Sequence, residues 1–167
     1  MGVPPQTDWT GTGPEARTAL RVHVRRVSPL ARHWPLPAYA TAGAAGLDLR
    51  ACLPEPVVLA PGERRLIPTG IAIALPSPQW VALVFARSGL AARHGIQMAN
   101  GVGVIDSDYR GEIKCALLNA GSEPFTVQPG DRIAQLVVMP VAQIVWEEVD
   151  ELAPSERGAA GFGSTGT

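Results

Sequence analysis

Lysine is almost absent: Lys114 is the single one in 167 residues, so arginine supplies nearly all of the positive charge. That bias is most simply a trace of genomic base composition. No excess of either sign accompanies it. The formal net charge is −1, and without a basic footprint nucleic acid is excluded as the main partner. No apolar run approaches the ~18 residues of a membrane-crossing helix, and the N-terminus lacks a signal-peptide core. The expectation is a soluble cytoplasmic protein with no membrane partner. Cysteine is scarce as well. Cys52 and Cys115 stand far apart and in no metal-ligand spacing, which reads as two buried, reduced thiols, with a single disulfide as the open alternative.

What is present points to strands. A hydrophobic content of 46% is ample for one domain's core. Glycine (18) and proline (16) recur so often that long helices are excluded and many short strands joined by turns are favoured. Residues 1–18 are polar and aperiodic and read as a disordered extension, 19–152 as the β domain, and 153–167 as a Gly-rich arm. Alternation or apolar runs predict strands at Leu20–Arg25, Leu47–Arg50, Glu63–Ile67, Gly70–Leu75, Trp80–Phe85, Phe125–Val127, Arg132–Val138 and Ala142–Val149. His23 falls on the polar phase of the first strand and reads as solvated. Trp34 reads as a surface anchor on the core, and Trp146 as a packing residue of the last strand. Ser88 is placed as the N-cap of one short helix that Gly95 ends, with His94 structural near its end.

Several stretches carry candidate chemistry. Between the apolar runs 102–105 and 113–118 lies Asp106-Ser107-Asp108-Tyr109-Arg110-Gly111, a polar insert suited to a β-hairpin. It puts Asp106 where a strand stops and a turn begins, held by the ladder yet able to reach a substrate. Most such turns only turn, because Asp and Ser bond their own backbone. Asp48 and Arg50 share one strand face and by themselves suggest a surface ion pair. Arg87, Ser88 and Gly89 open the helix, where unpaired N–H groups, a hydroxyl and a guanidinium fork suit an anion; an ordinary Ser cap is the plain alternative. In the tail, residues 161–166 match G-x-G-x-x-G, but no strand leads in and only Thr167 is left to start a helix, so a dinucleotide site is rejected. An arm remains in which Phe162 can stack and Arg157 can pair with phosphate, or else a frayed end.

Five blocks together, A-G-L-D-L-R-A at 45–51, A-R-S-G-L-A at 86–91, G-V-I-D-S-D-Y-R-G at 103–111, G-D-R-I-A-Q-L at 130–136 and R-G-A-A-G-F-G-S-T-G at 157–166, resemble the homotrimeric deoxyuridine triphosphatases. Their order and spacing match over nearly everything from Leu20 onward. The resemblance implies an all-β, distorted jelly-roll-like barrel or sandwich of the β-clip kind with one short helix. It implies a homotrimer whose three active sites each draw on all three chains. The implied reaction is hydrolysis of dUTP to dUMP and pyrophosphate with Mg²⁺, which keeps uracil out of DNA and supplies dUMP.

Residue by residue, Asp106 matches the base that activates the attacking water, and Asp48 a carboxylate acting on the metal through its water shell, so no direct metal ligand is expected. Arg87, Ser88, Gly89 and Gln135 match phosphate contacts. Arg157 would meet the γ-phosphate, Phe162 would cover uracil, and Gly163, Ser164 and Thr165 would add donors. Asn100 and the backbone of Val104, Ile105 and Asp106 would read uracil, Tyr109 would pack under the deoxyribose, and Lys114 would meet the pyrimidine through its main chain. One rival is a dCTP deaminase, which needs a glutamate base near the pyrimidine; Glu112 and Glu123 are the only glutamates in the region, and neither lies in a matching block. The other rival is a non-enzymatic trimer kept for a partner, which would have lost the base or the phosphate residues; Asp48, Ser88, Asp106 and Arg157 are all present.

Overall fold

Proline and glycine cut the chain into short pieces, and the computed structural model, which describes residues 19–159, shows eleven strands, one α-helix and one 3-10 helix among them. The N-terminal extension 1–18 and the tail positions Phe162, Gly163, Ser164 and Thr165 lie outside the described residues. In chain order the strands are β1 (His23–Arg26), β2 (Leu47–Arg50), β3 (Val57–Leu59), β4 (Arg64–Pro68), β5 (Ile71–Ala74), β6 (Trp80–Ala86), β7 (Ile96–Met98), β8 (Gly103–Ile105), β9 (Lys114–Asn119), β10 (Phe125–Val127) and β11 (Arg132–Pro140). The 3-10 helix spans Pro29–His33, and α1 (Ser88–His94) follows β6. The architecture is all-β and jelly-roll-like with one short helix, as the sequence implied.

Every ladder is antiparallel. One sheet runs β2-β11-β6-β8, a second β4-β9-β7, and two ribbons pair β1 with β5 and β3 with β10. Alternation decides what goes inside. On β9, Cys115, Leu117 and Asn119 point into the core while Lys114 faces out. Leu49, Leu59, Ile67, Ile96, Val127 and Ile133 complete the fully buried centre, so strands from both sheets and both small ribbons share one core. Gly95 ends α1 at φ +68°, and its N–H bonds back to the Ala91 carbonyl at 3.0 Å. Trp34, half-buried, lays its indole over Gly130, whose φ of +84° and missing Cβ allow the approach.

Four expectations need correction. The runs around Asp106 do not form a hairpin: β8 pairs with β6, whereas β9 joins the other sheet. The reason is that β9 is already flanked on both edges by β4 and β7 and has no edge left for β8. The strand expected at Ala142–Val149 is absent, since the ladder stops at Pro140 and residues 141–159 are exposed, Val145 at 96% and Trp146 at 88%. An apolar pattern there finds no surface among the described residues to cover it. The first strand is four residues long and exposed throughout, so only Val22, ahead of it, packs toward the core. Finally, β3 and β7, three residues each, were not anticipated.

Two buried groups tie the elements together. Asn119 is fully buried, donating from Nδ2 to the carbonyls of Leu59 (2.9 Å) and Glu123 (2.8 Å) and accepting from the Gly121 N–H at 2.9 Å. A satisfied buried amide of this kind fixes the end of β9 against β3 and the following turn. Cys52 and Cys115 are free and buried, in line with the reduced-thiol reading. Burial pushes the Cys115 thiol up from 9.0 to about 12. The unfolded thiol ionises first, so its contribution to stability is whole below pH 9.0 and is lost as pH rises toward about 12. We expect Cys115→Ala to be less stable than wild type by about 1–2 kcal/mol at neutral pH. The gap should narrow by about 1 kcal/mol near pH 10, as read from paired urea titrations; a gap independent of pH would contradict it.

Candidate functional site

Two groups of predicted residues assemble, at opposite ends of one sheet. The first is built where β2, β11 and β6 lie side by side. In the β11 register Gln135 stands opposite Asp48 on β2 and Phe85 on β6, which brings Asp48 beside the end of β6. There the chain leaves the ladder at Arg87 and turns into α1. Asp48 meets a guanidinium at each oxygen: Oδ1 is ion-paired with Arg87 Nε at 2.9 Å, and Oδ2 accepts from Arg132 Nη1 at 3.1 Å. Arg87 Nη1 also donates to the Arg132 carbonyl at 3.2 Å. The expected Asp48–Arg50 pair is therefore replaced, because Arg50 turns to the Gly130 carbonyl at 2.8 Å.

The helix start differs from expectation in one respect. Arg87, in extended conformation, is the N-cap residue, and Ser88 is the first helical residue. No side-chain bond caps this helix start, and the Ser88 hydroxyl makes no hydrogen bond among the described residues. The first intrahelical bonds are made by the N–H groups of Leu90 and Ala91 onto the Arg87 carbonyl, both at 3.0 Å. The Ser88 and Gly89 amides lie ahead of them, in the position that accepts anions. Gln135 Nε2 donates to the Ala86 carbonyl at 3.3 Å, and a Cβ on Gly46 would come within 2.7 Å of Gln135 Oε1, so Gly46 is what lets the amide lie there. Arg87, Ser88, Gly89, Gln135 and Asp48 thus form one polar corner, which carries a surplus of one positive charge once Arg132 is counted with it. Arg132 belongs to it and was missed. Its position three residues ahead of Gln135 in the same block, G-D-R-I-A-Q-L, was the available signal, but pairing with Asp48 needed the register of two strands distant in sequence.

The second group lies along β8 and the loop after it. Ile105 is buried, and Asp106 follows at the surface with no hydrogen bond or ion pair to its carboxylate among the described residues. Val104 is 63% and Tyr109 45% exposed, and Asn100 is exposed in the turn ahead of β8. The loop itself is clipped shut: Arg110 Nη1 donates to the Ser107 (2.7 Å) and Tyr109 (2.9 Å) carbonyls, the Tyr109 N–H to the Asp106 carbonyl (3.2 Å), and the Tyr109 hydroxyl to the Glu112 carbonyl (3.0 Å). Lys114 sits apart on β9, its amine 3.9 Å from Glu112, whose other oxygen accepts from the Gly70 N–H at 2.8 Å. Arg157 lies in the exposed segment beyond the last strand.

The two groups do not meet within one chain. Ile105 pairs with Ala82, and Arg87 lies five positions farther along the same strand direction, about 16 Å away at ~3.3 Å per residue. Asp106 continues in the opposite direction. Among the described residues no group of three or more His, Cys, Asp or Glu can hold a metal ion. Asp48, with both oxygens on guanidiniums, does not fit direct ligation of a cation, though a hydrated ion carried on a polyanion can approach it through water.

A family model described as dUTPase matches residues 32–166. The chain is 62% identical over 130 residues (78% of this chain, 87% of the relative) to the deoxyuridine 5'-triphosphate nucleotidohydrolase of Aromatoleum aromaticum. It is 55% identical over 146 residues (87% and 97%) to that of an Azoarcus species. Among solved structures, the dUTPase of Staphylococcus bacteriophage 80alpha with dUPNHPP superposes at a TM-score of 0.79 and 27% identity, covering 88% of this chain and 99% of the phage chain.

The two aspartates should separate in stability measurements. Asp48→Ala leaves two guanidiniums facing each other and is expected to cost about 1–2 kcal/mol in urea unfolding. Asp106→Ala, removing a carboxylate with no partner, should stay within about 0.5 kcal/mol of wild type. Equal losses would show that the contacts described for Asp48 do not hold in solution.

Proposed function

The chain belongs to the dUTPase family and hydrolyses dUTP to dUMP and pyrophosphate, and we propose that it does so in sites assembled from three copies of the chain. The observation that carries this reading is the separation of the polar corner from Asp106 along one sheet. A base that aims water at the α-phosphorus and the groups that hold the phosphates have to converge on the triphosphate, so this separation supports a site in which the corner of one copy faces the loop of another. The exposed apolar side chains Ile144, Val145, Trp146 and Leu152 support the same reading, because an assembly gives them a surface to cover.

In this arrangement Asp106 orients and deprotonates the water that attacks the α-phosphorus. Its loop is rigid through the Arg110 and Tyr109 bonds, so the carboxylate is aimed before substrate arrives. Arg87, the Ser88 hydroxyl, the Ser88 and Gly89 amides and Gln135 hold the phosphate chain, and Arg157 meets the γ-phosphate. Asn100 and the backbone of Val104, Ile105 and Asp106 bond the polar edge of uracil, in a slot too tight for the thymine methyl. Tyr109 packs under the deoxyribose, and the Lys114 main chain approaches the pyrimidine. Phe162 covers the base, with Gly163, Ser164 and Thr165 supplying donors, as the segment 153–167 closes the site. Asp48 would meet a magnesium ion only through its water shell, the substrate phosphates being its main holders, and the chemistry the ion would supply is to spread the charge of the triphosphate. The deaminase alternative is disfavoured by Glu112, whose carboxylate is committed to the Gly70 amide and to Lys114. A cytoplasmic location belongs to the same proposal and is supported by the two free, buried thiols.

Pyrophosphate release from dUTP should far exceed release from dTTP, UTP or dCTP, and sedimentation should give a trimer. Asp106→Ala should lower kcat by about 10²–10⁴-fold while leaving nucleotide binding intact. A monomer with full activity would overturn the shared-site reading. Deleting residues 157–167 should reduce turnover at least tenfold but shift the melting temperature by only about 1–2 °C, since few core-type residues are lost. Full-rate hydrolysis by that truncation would remove the closing segment from the mechanism.

A further inference from the structure

Arg132 lies outside the residues assigned to substrate, yet it makes half of the contacts to Asp48. The corner holds one carboxylate and two guanidiniums. With Arg87 alone, Asp48 would cancel the charge that must meet the phosphates; with Arg132 present, the three groups carry a net positive charge of one. The contact pattern adds direction to this charge. Arg87 Nε is fixed by Asp48 at 2.9 Å and its Nη1 by the Arg132 carbonyl at 3.2 Å. Two fixed points lock a planar guanidinium, and Nη2 is then the nitrogen engaged by neither. The side chain of Arg132 occupies the second oxygen of Asp48 at 3.1 Å, which keeps the carboxylate from pivoting to take both oxygens onto Arg87.

We infer that Arg132 is a positioning residue: by occupying one oxygen of Asp48 and presenting its own carbonyl, it holds the Arg87 fork in a phosphate-binding orientation and leaves that fork its charge. The inference rests on the assignment of Arg87 to the phosphates. Asp48 is accordingly first a clamp for arginines in the free protein, and its approach to hydrated magnesium is secondary. Arg132 is half-exposed, its side chain 47% accessible, so its contribution is to orientation and charge and not to the core.

The test is steady-state hydrolysis of dUTP by the full chain in excess Mg²⁺, with four variants. Arg132→Gln should raise KM by about 10–100-fold with kcat within about threefold, the signature of lost ground-state and transition-state binding alike. Arg132→Lys, which restores the charge but not the planar fork, should recover about half of that loss on a logarithmic scale. On an Asp48→Asn background, where no carboxylate needs occupying, Arg132→Gln should add less than about twofold. The inference is overturned if Arg132→Gln leaves KM within twofold, if Lys is no better than Gln, or if the Arg132→Gln and Asp48→Asn effects multiply in full. Should Arg132→Gln melt too early for assay, the double variant compared with Asp48→Asn still decides. A wild-type protein that does not turn over dUTP would instead remove the proposed function, and this inference with it.

Discussion

The functional arrangement depends on β11 being flanked on both sides. An interior strand has every ladder group committed, so its register cannot slip without moving each inward side chain to the wrong face. Here that register is set by Ala134 and Leu136, buried between β2 and β6. Gln135, between them, points the other way, and its two strand neighbours are Asp48 and Phe85. The polar corner is thus a by-product of packing. The apolar residues of β11 choose the alignment, and Asp48, Arg87 and Arg132 are carried into contact by it. An irregularity in the β2 pairing between Arg132 and Ala134 then lets Arg132 reach Asp48 from a position the regular ladder would not offer.

The loop bearing Asp106 serves a different purpose. It joins a strand of the four-stranded sheet to a strand of the three-stranded one, so it is anchored at both ends in separate layers. The Arg110 contacts to two carbonyls and the Glu112 contact to the Gly70 amide tie the loop down further. The carbonyls of Asp106, Ser107, Tyr109 and Glu112 are bonded within the loop, while the Asp106 carboxylate has no partner among the described residues. A carboxylate without a structural task, on a loop held by several hydrogen bonds, suits the general-base role proposed for Asp106.

Local pattern made much of this legible. Trp80–Phe85 is apolar throughout and is a strand; Gln128-Pro129-Gly130-Asp131 is a turn; Gly95 stops the helix. The failures share a cause, which is that pattern states what a segment needs and not where it finds it. Residues 142–149 carry a strand's apolar content, but no edge within the chain receives them. The runs on either side of Asp106 looked like mutual partners because they are adjacent in sequence, whereas β9 had already filled both edges. Val57–Leu59 and Ile96–Met98 are too short to show a period between Pro56, Gly95 and Asn100. At the site, Asp48 was assigned a metal-side role from its block, and its arginine partners were invisible, since they come from positions 87 and 132.

Why a carboxylate should stand in a corner proposed to bind phosphate follows from the arginines themselves. Two guanidiniums side by side repel, and their forks are free to turn toward solvent. A carboxylate between them offsets the repulsion and supplies a fixed acceptor for each, at the cost of one unit of the charge available to substrate. With a single arginine that exchange would neutralise the site; with two it leaves a surplus and an aligned donor. The same logic bears on Asp48 as a direct metal ligand. A direct carboxylate ligand would have to release its arginines, and a divalent ion would sit against two positive groups. An ion carried on the triphosphate, as proposed, would avoid both penalties, because the phosphates would bring the negative charge that makes arginines and magnesium compatible in one pocket.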